Sequence, residues 1–469
     1  MDLAIKDILA DPEDAICARW GHVAQCPVQS QIYAEVEKLK ALKLPLKQQK
    51  EAKQLCSRQF KDARGDADRL AALKAQMQAI SAALNQLEEQ RKQAEVSLLH
   101  LFLPPQQNTG PTFPAQCLPV VERPVAGTVN IETVDGDDES WENYVQRQPG
   151  ASFYHSLKFR DFIQQAVDHS TLYLKAVDEQ QAVVGVLPIV GINSKLFGNY
   201  AVSLPFVNYG GPLANNASVI DKLFTEAEIH LQERRWDHVE IRTLRADLDL
   251  PMQSRKISMI LALPSSDDEL EKQLGTKVRA QYKLTEPYHP DIMIGGIEWL
   301  DEFYAVFAHN MRDLGTPVYA KDFFRRFYQS LAPDVYIVVV RINNKPVAGA
   351  ILCGKGEMLE IPWASTLRRV NSLNVNMWMY RQMLAFAIAK GFRFFDFGRS
   401  TTDSGTYRFK KQWGAEPVPH YWYYVLAEGK SVPELNPDNP KYKLLIGIWQ
   451  RLPVWLTKII GPPVVRNLP

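Results

Sequence analysis

Paired cysteines are missing from this chain. Its five cysteines, Cys17, Cys26, Cys56, Cys117 and Cys353, are odd in number, scattered, and nowhere spaced Cys-x-x-Cys. Neither a disulfide framework nor a zinc site is indicated, which fits a reducing cytosol and leaves no metal expected. Long apolar runs are missing as well. None reaches the roughly 18 residues of a spanning helix, so no membrane crossing is expected. The opening Met1-Asp2-Leu3 lacks the basic start of a secretory signal, so the expected location is the cytoplasm. Net charge is nearly absent at +1, which argues against wholesale coating of nucleic acid but hides local asymmetry. What remains, 46% apolar and 23% charged residues, is an ordinary globular composition. The 469 residues leave room for about three domains at ~150 residues each.

The most informative stretch is Phe394 to Ser400, an apolar run followed by a polar turn, Thr401 to Gly405, and then Tyr407-Arg408-Phe409-Lys410-Lys411. Its pattern reads as a buried strand, a turn, and a short helix capped by Ser404. Asp396 is a carboxylate in an aromatic run and must find a partner or leave the core. A cation at the end of a core strand, Lys410, can meet negative charge that develops in a transition state. The plainer alternative is a solvated Lys-Lys pair after an ordinary strand.

The first hundred residues are helical. Leu70, Leu73, Met77, Ile80, Leu84, Leu87, Ala94, Leu98 and Leu101 alternate spacings of three and four, with Arg91 as the polar interruption. That is a heptad seam ending at Pro104-Pro105. A second helical stretch, Tyr33 to Phe60, precedes it, and Pro45 is expected to kink or break that helix. Gly65 lies where an antiparallel hairpin would turn. Residues 34–64 carry a net charge of +5 and residues 65–103 carry −1. A basic arm of this kind can track phosphates through Lys47, Lys50, Lys53, Arg58, Lys61 and Arg64. A solvated helix face or a dimerisation arm is the alternative.

Six prolines between 104 and 128 mark a semi-rigid linker. Beyond it the chain repeats itself. Leu172 to Gly185 aligns without gaps on Tyr336 to Gly349, each a strand, a turn and a strand. Leu223 to Arg242 echoes Met379 to Gly398, a helix and then a strand with one acid, so Glu240 and Asp396 correspond. Two copies of a mixed α/β unit are expected, with a cleft between them for ligands. The expected organisation is a helical arm at 1–107, a linker at 108–128, halves at 129–290 and 291–428, and a tail at 429–469.

Other residues carry two readings each. His309, Arg312 and Asp313 share one helix and either line an acceptor pocket or form a charged face. Asn208-Tyr209-Gly210-Gly211 is either a pocket wall or a plain turn. Arg399 and Asp403 sit in the turn before Lys410, to hold substrate or simply to face water. Tyr421 to Tyr424 reads as strand core. The tail from Lys441 onward has five basic residues, no acid, and Trp449 and Trp455 among aliphatics. Such a helix suits a membrane interface, or packs back on the body, and Pro453 should interrupt it.

Asp396-Phe397-Gly398, Tyr407-Arg408-Phe409-Lys410 and Trp413-Gly414 resemble the C-terminal signature of the Fem family, aminoacyl-tRNA-dependent peptidyltransferases with two GNAT-like subdomains. Pro205 to Gly211, Asn310 to Pro317 and Gly461-Pro462 resemble the Fem-like proteins of exosortase/PEP-CTERM exopolysaccharide systems. The resemblance covers about Glu132 to Pro469. It implies an α/β fold of tandem GNAT-like acyltransferase subdomains behind an antiparallel helical coiled-coil hairpin. It also implies a catalytic Lys410 that steadies the tetrahedral intermediate, with Asp396 in support. Phe409, Tyr407, Arg399, Asp403, Asn208, Tyr209, Arg312 and Asp313 would contact substrate. No cofactor is implied beyond aminoacyl-tRNA as co-substrate, and the partners would be tRNA and a cell-envelope precursor. Ile5 to Glu13, Lys61 to Asp66 and Leu98 to Pro104 further resemble the tRNA-binding arm of bacterial seryl-tRNA synthetases, which points to serine tRNA. The synthetase's catalytic domain does not follow. In an acetyl-CoA enzyme a glycine-rich loop would approach the pyrophosphate, but the turn at Ala364 to Ser372 has no glycine. Two alternatives stay open: an acyl-CoA-dependent N-acyltransferase of polysaccharide biosynthesis, and a non-catalytic tRNA- or partner-binding protein.

Overall fold

The computed structural model describes residues 8, 9, 11–13, 29–62, 67–102, 122–148, 150–195, 197–254, 256–433 and 440–468. They fall into two units, Met1–Gly110 and Pro111–Pro469. The first unit is a pair of long helices, Gln29–Asp62 and Ala67–Phe102. The seam of the second helix is inside: Leu73, Leu84, Ala94 and Leu98 are buried, and Leu70, Met77, Ile80 and Leu87 are half-buried. Ile32, Val36, Leu39, Leu46 and Cys56 are the buried apolar positions of the first helix. The helices run antiparallel, because Cys56 lies 3.7 Å from the Leu73 carbonyl while Lys50 pairs with Glu88 at 3.3 Å. Pro45 does not break the first helix, which continues through it. The expected hairpin turn at Gly65 lies outside the described residues, and so does the expected linker at 108–128 as far as residue 121.

The described residues of the second unit form fifteen strands. They are β1 Asn130–Thr133, β2 Ser170–Val177, β3 Val183–Ser194, β4 Gly198–Val202, β5 Leu213–Ala214, β6 His238–Thr243, β7 Met252–Gln253, β8 Ile257–Ala262, β9 Asp291–Gly295, β10 Val335–Ile342, β11 Lys345–Lys355, β12 Met358–Thr366, β13 Phe394–Ser400, β14 Glu416–Pro419 and β15 Tyr421–Leu426. One sheet runs β1-β2-β3-β4-β6-β15-β7, with β5 on β3, and the other runs β9-β10-β11-β12-β13-β8-β14. Among the described residues each has a single parallel pair, β4 with β6 and β12 with β13. Apart from β5, the two sheets therefore match strand for strand, as the internal repeat requires. Each parallel pair is reached through a helix, Ala217–Glu233 in one copy and Val375–Ala389 in the other.

The halves exchange a strand. β8 lies before residue 290 in the chain yet pairs with β13 and β14 in the second sheet. β15 returns from the end of the second half to pair with β6 and β7 in the first. A shared core joins the halves further. Phe159 and Phe162 of the first half pack with Phe303, Phe323, Phe324, Phe327 and Trp363 of the second, and Phe162 meets Phe323 at 5.0 Å.

The tail packs back on this body as helices Pro440–Trp449 and Val454–Val465, with Pro453 as the cap of the second. His169 Nε2 lies 2.6 Å from the Arg466 carbonyl, and the Tyr200 hydroxyl donates to the Asn467 carbonyl at 3.0 Å. Gly461 makes the close approach possible: a Cβ there would stand 2.8 Å from Val318 N and 2.9 Å from Val318 O. Gly461→Ala is expected to cost about 1–3 kcal/mol, because backbone must move to admit the methyl group. Thermal melting and faster proteolysis of the tail will check it.

Candidate functional site

The parallel pair of the second sheet is short. β12 and β13 pair only from Met358/Phe394 to Glu360/Asp396. Beyond that point β12 stays with β11, while Arg399 and Ser400 pair with Ser258 and Ile257 of β8. The strands splay, and a wedge opens directly after two carboxylates.

Asp396 is fully buried because the strand around it is apolar. It is satisfied locally: the Ser258 hydroxyl donates to Oδ2 at 3.1 Å and the Gly398 N–H to Oδ1 at 2.7 Å. The second bond needs the bulge between Asp396 and Arg399 and the φ of +75° at Gly398. Burial lifts the carboxyl to about 6 against these bonds and the nearby Lys410 charge. Glu360 stands beside it across the parallel pair, accepting from Asn208 Nδ2 at 2.8 Å and bonding the Tyr154 hydroxyl. Burial, and then the Asp396 charge, push Glu360 up to about 8. The two titrate as a pair, and near neutral pH the pair holds a proton.

Lys410 closes the group. Ser404 caps the helix Gly405–Lys411 by accepting from Tyr407 N at 3.2 Å. That helix turns the Lys410 ammonium back onto the strand end, where it donates to the Gly398 carbonyl at 2.8 Å and the Arg399 carbonyl at 2.9 Å. Burial is the main cause that lowers Lys410 to about 8; Arg399 adds to it, while Asp396 and Glu360 oppose it. Two of three ammonium N–H groups are thus engaged, leaving one.

Ser258 extends the group to His420. It donates to Asp396, so it accepts from His420 Nε2 at 3.0 Å, which fixes the imidazole with its proton on Nε2. Burial, reinforced by Arg399, Arg242 and Lys410, drops His420 to about 3. On the other side two guanidiniums flank one ring. Arg242 lies 4.6 Å and Arg399 5.5 Å from the Trp422 centroid. Arg242 also donates to Glu240 at 2.7 Å, and the Tyr424 hydroxyl donates to Glu240 at 3.0 Å. Arg399 is an exposed residue, but the protein around its guanidinium, and then Arg242, bring it down to about 10. The repeat thus has two versions of one position: Glu240 is ion-paired, whereas Asp396 is held mainly by neutral donors.

A pocket of about 270 Å³ opens onto this cluster, lined by Gln146, Gln148, Ser152 and Tyr209 from the first half and Cys353 and Glu360 from the second. Glu360 is its one wall residue within the carboxylate–lysine group.

The structure brings Lys410, Asp396, Asn208 and the Arg399 backbone together, with Tyr209 edge-on to His420 at 5.8 Å. Phe409 instead packs edge-on to Tyr380 at 5.1 Å within the core of the second half. Tyr407 is half-buried under Lys411, and Asp403 is exposed at φ +60°. Arg312 pairs with Asp313 at 2.7 Å and donates to the Leu452 carbonyl at 3.1 Å, so this pair ties a helix end to the tail. In the arm, Lys47, Lys50, Lys53 and Arg58 are exposed; Lys47 also pairs with Glu51 at 3.9 Å. Lys61 is the last residue but one of the described helix, and Arg64 lies outside the described residues. Sequence reasoning missed Glu360, Tyr154, Ser258 and His420. Glu360 carried the signal that marked Asp396, a lone acid in an apolar strand.

Residues 278–411 match the family model for the acetyltransferase (GNAT) domain, a span that contains β9 to β13 and ends one residue past Lys410. No curated protein matches the chain. Among solved structures, FemX is similar at 13% identity and a TM-score of 0.48, over 67% of this chain and 100% of that one. L-PGS from Bacillus licheniformis is similar at 13% and 0.43, over 67% and 98%. A tandem GNAT protein from the clavulanic acid biosynthesis pathway is similar at 10% and 0.41, over 65% and 100%. With its two equivalent mixed sheets and the GNAT match over the second, the body of this protein is a tandem GNAT-like α/β fold.

Proposed function

We propose that this protein is a Fem-like aminoacyltransferase that moves an aminoacyl group from aminoacyl-tRNA to an amine of a cell-wall or exopolysaccharide precursor. The observation that carries the reading is the buried Lys410–Asp396–Glu360 group at the wedge of a GNAT-type sheet. The glycine-free turn supports it: residues 368–373 form a tight 3₁₀ helix between β12 and the next helix, in place of a phosphate-cradling glycine loop.

In this reading the acceptor amine enters the pocket and attacks the ester carbonyl. A C–N bond forms, and the carbonyl electrons move onto oxygen. The free Lys410 N–H donates to that oxyanion. The amine proton passes to the carboxylate pair, whose members sit near neutrality and can accept and return it. The C–O bond to the ribose then breaks, and the tRNA hydroxyl takes the proton. Binding both partners in one cleft supplies proximity. Arm cations Lys47, Lys50, Lys53, Arg58, Lys61 and Arg64 would hold tRNA phosphates, and a serine tRNA is the expected donor. The reaction would run on the cytoplasmic side.

A second reading, transfer from acyl-CoA, is favoured by the acetyltransferase description of the matched family. One experiment separates them. Purified protein is mixed with total cellular tRNA, the retained RNA is sequenced, and acetyl-CoA binding is measured alongside. Retention of one tRNA class, lost on deleting residues 1–107, is the expected result. Clear CoA binding without tRNA retention would overturn the first reading, and an inert protein given both donors would overturn both.

A further inference from the structure

The outward face of the tail is apolar, the reverse of an ordinary surface helix. In the helix Val454–Val465 the buried positions are Thr457, Gly461 and Val465, spaced by four and turned toward the body. On the opposite side Trp455 is 64% exposed and Ile459 62%. The helix Pro440–Trp449 adds Leu445, Ile446 and Ile448, all exposed. A helix facing water normally shows it a polar side, and a contiguous apolar patch marks an interaction surface.

Charge identifies the occupant. From Lys441 to Leu468 the chain has five basic residues and no acid. Carboxylates on the helix packed beneath are already paired, Asp301 with Lys321 at 2.9 Å and Asp313 with Arg312 at 2.7 Å. We propose that this face docks on an anionic lipid bilayer, with Trp455, Ile459 and Leu445 entering the boundary between headgroups and acyl chains. The basic residues of this stretch supply the positive charge that lipid phosphates attract. Tryptophan suits that boundary because its ring is both apolar and polar. The helices lie on the bilayer rather than cross it: Pro453 divides them, and no helix among the described residues is long and apolar enough to span.

Flotation of the full chain with vesicles tests this, using phosphatidylcholine alone and phosphatidylcholine mixed with phosphatidylglycerol. The protein is expected to float with the anionic vesicles, less so in high salt. The Trp455→Ser/Ile459→Ser double variant should partition at least about tenfold less, at an unchanged melting temperature because both side chains face outward. Failure to float with anionic vesicles at low salt would overturn the proposal, as would equal flotation of the double variant. Concentration-dependent self-association that the double variant abolishes, without vesicle binding, would assign the face to a second copy and overturn it too.

Discussion

Lys410→Ala is expected to lower aminoacyl transfer by about a hundredfold or more, the usual consequence of removing one oxyanion donor, while tRNA retention stays intact. The same change removes the ammonium that bonds the Gly398 and Arg399 carbonyls at the wedge. Asp396 and Glu360 then lose the positive charge that opposes their rise, and both move further toward the protonated form. Removing one partner from a buried charged group costs about 3–5 kcal/mol, so a lower melting temperature should accompany the lost turnover. Lys410→Arg separates the two effects. It keeps a buried cation but not the compact ammonium, and should recover much of the stability with little of the turnover. Full turnover in Lys410→Ala would refute the catalytic assignment.

Folding stability is expected to fall between about pH 6.5 and 8, and Glu360→Gln should remove that fall. Glu360 rises from 4.5 to about 8 in the folded protein. Across that interval the native state holds a proton that the unfolded chain has released, so stability decreases as pH increases. Asp396, raised to about 6, acts in the same direction below that value. His155, lowered to about 4, and His420, lowered to about 3, act in the opposite direction up to 6.5. The effects oppose one another below 6.5, and Glu360 prevails above it. Beyond about 8 the lowered Lys410 reverses the slope, because there the unfolded chain holds the extra proton. Denaturant melts at about pH 6.5, 7.3 and 8 should show the decline in the parent and a flat profile in Glu360→Gln. Gln keeps the acceptor for Asn208. A parent profile that stays flat would mean that Glu360 titrates as an ordinary carboxylate.

Local pattern carried much of this protein. The seam from Leu70 to Leu98 specified the packed face of its helix, because spacings of three and four place those residues on one side. Ser404 capped the helix that carries Lys410, as a short polar side chain before a helix can do without distant help. The aligned segments at Leu172 and Tyr336 became equivalent strand pairs for the same reason: alternation and turn residues are local properties.

Pro45 shows where a local rule stops short, since its helix continues through it. Phe409, next to Lys410, points into the core and not the wedge, because successive helix residues face about 100° apart. The Arg312–Asp313 pair reaches the tail across more than a hundred residues of chain, and no spacing in the sequence records that.

By itself the sequence determined the repeat, the helical arm, the buried strand with its single acid, and the lysine that follows it. Those depend on periodicity and on side chains within a few positions of one another. Tertiary structure alone decided that β8 and β15 trade sheets, that Glu360 comes beside Asp396, and that Ser258 and His420 reach the same carboxylate. The physical reason is register. Which residues stand opposite one another across a strand pair depends on where two distant segments meet, and a shift of one residue would turn Glu360 to the other face of the sheet.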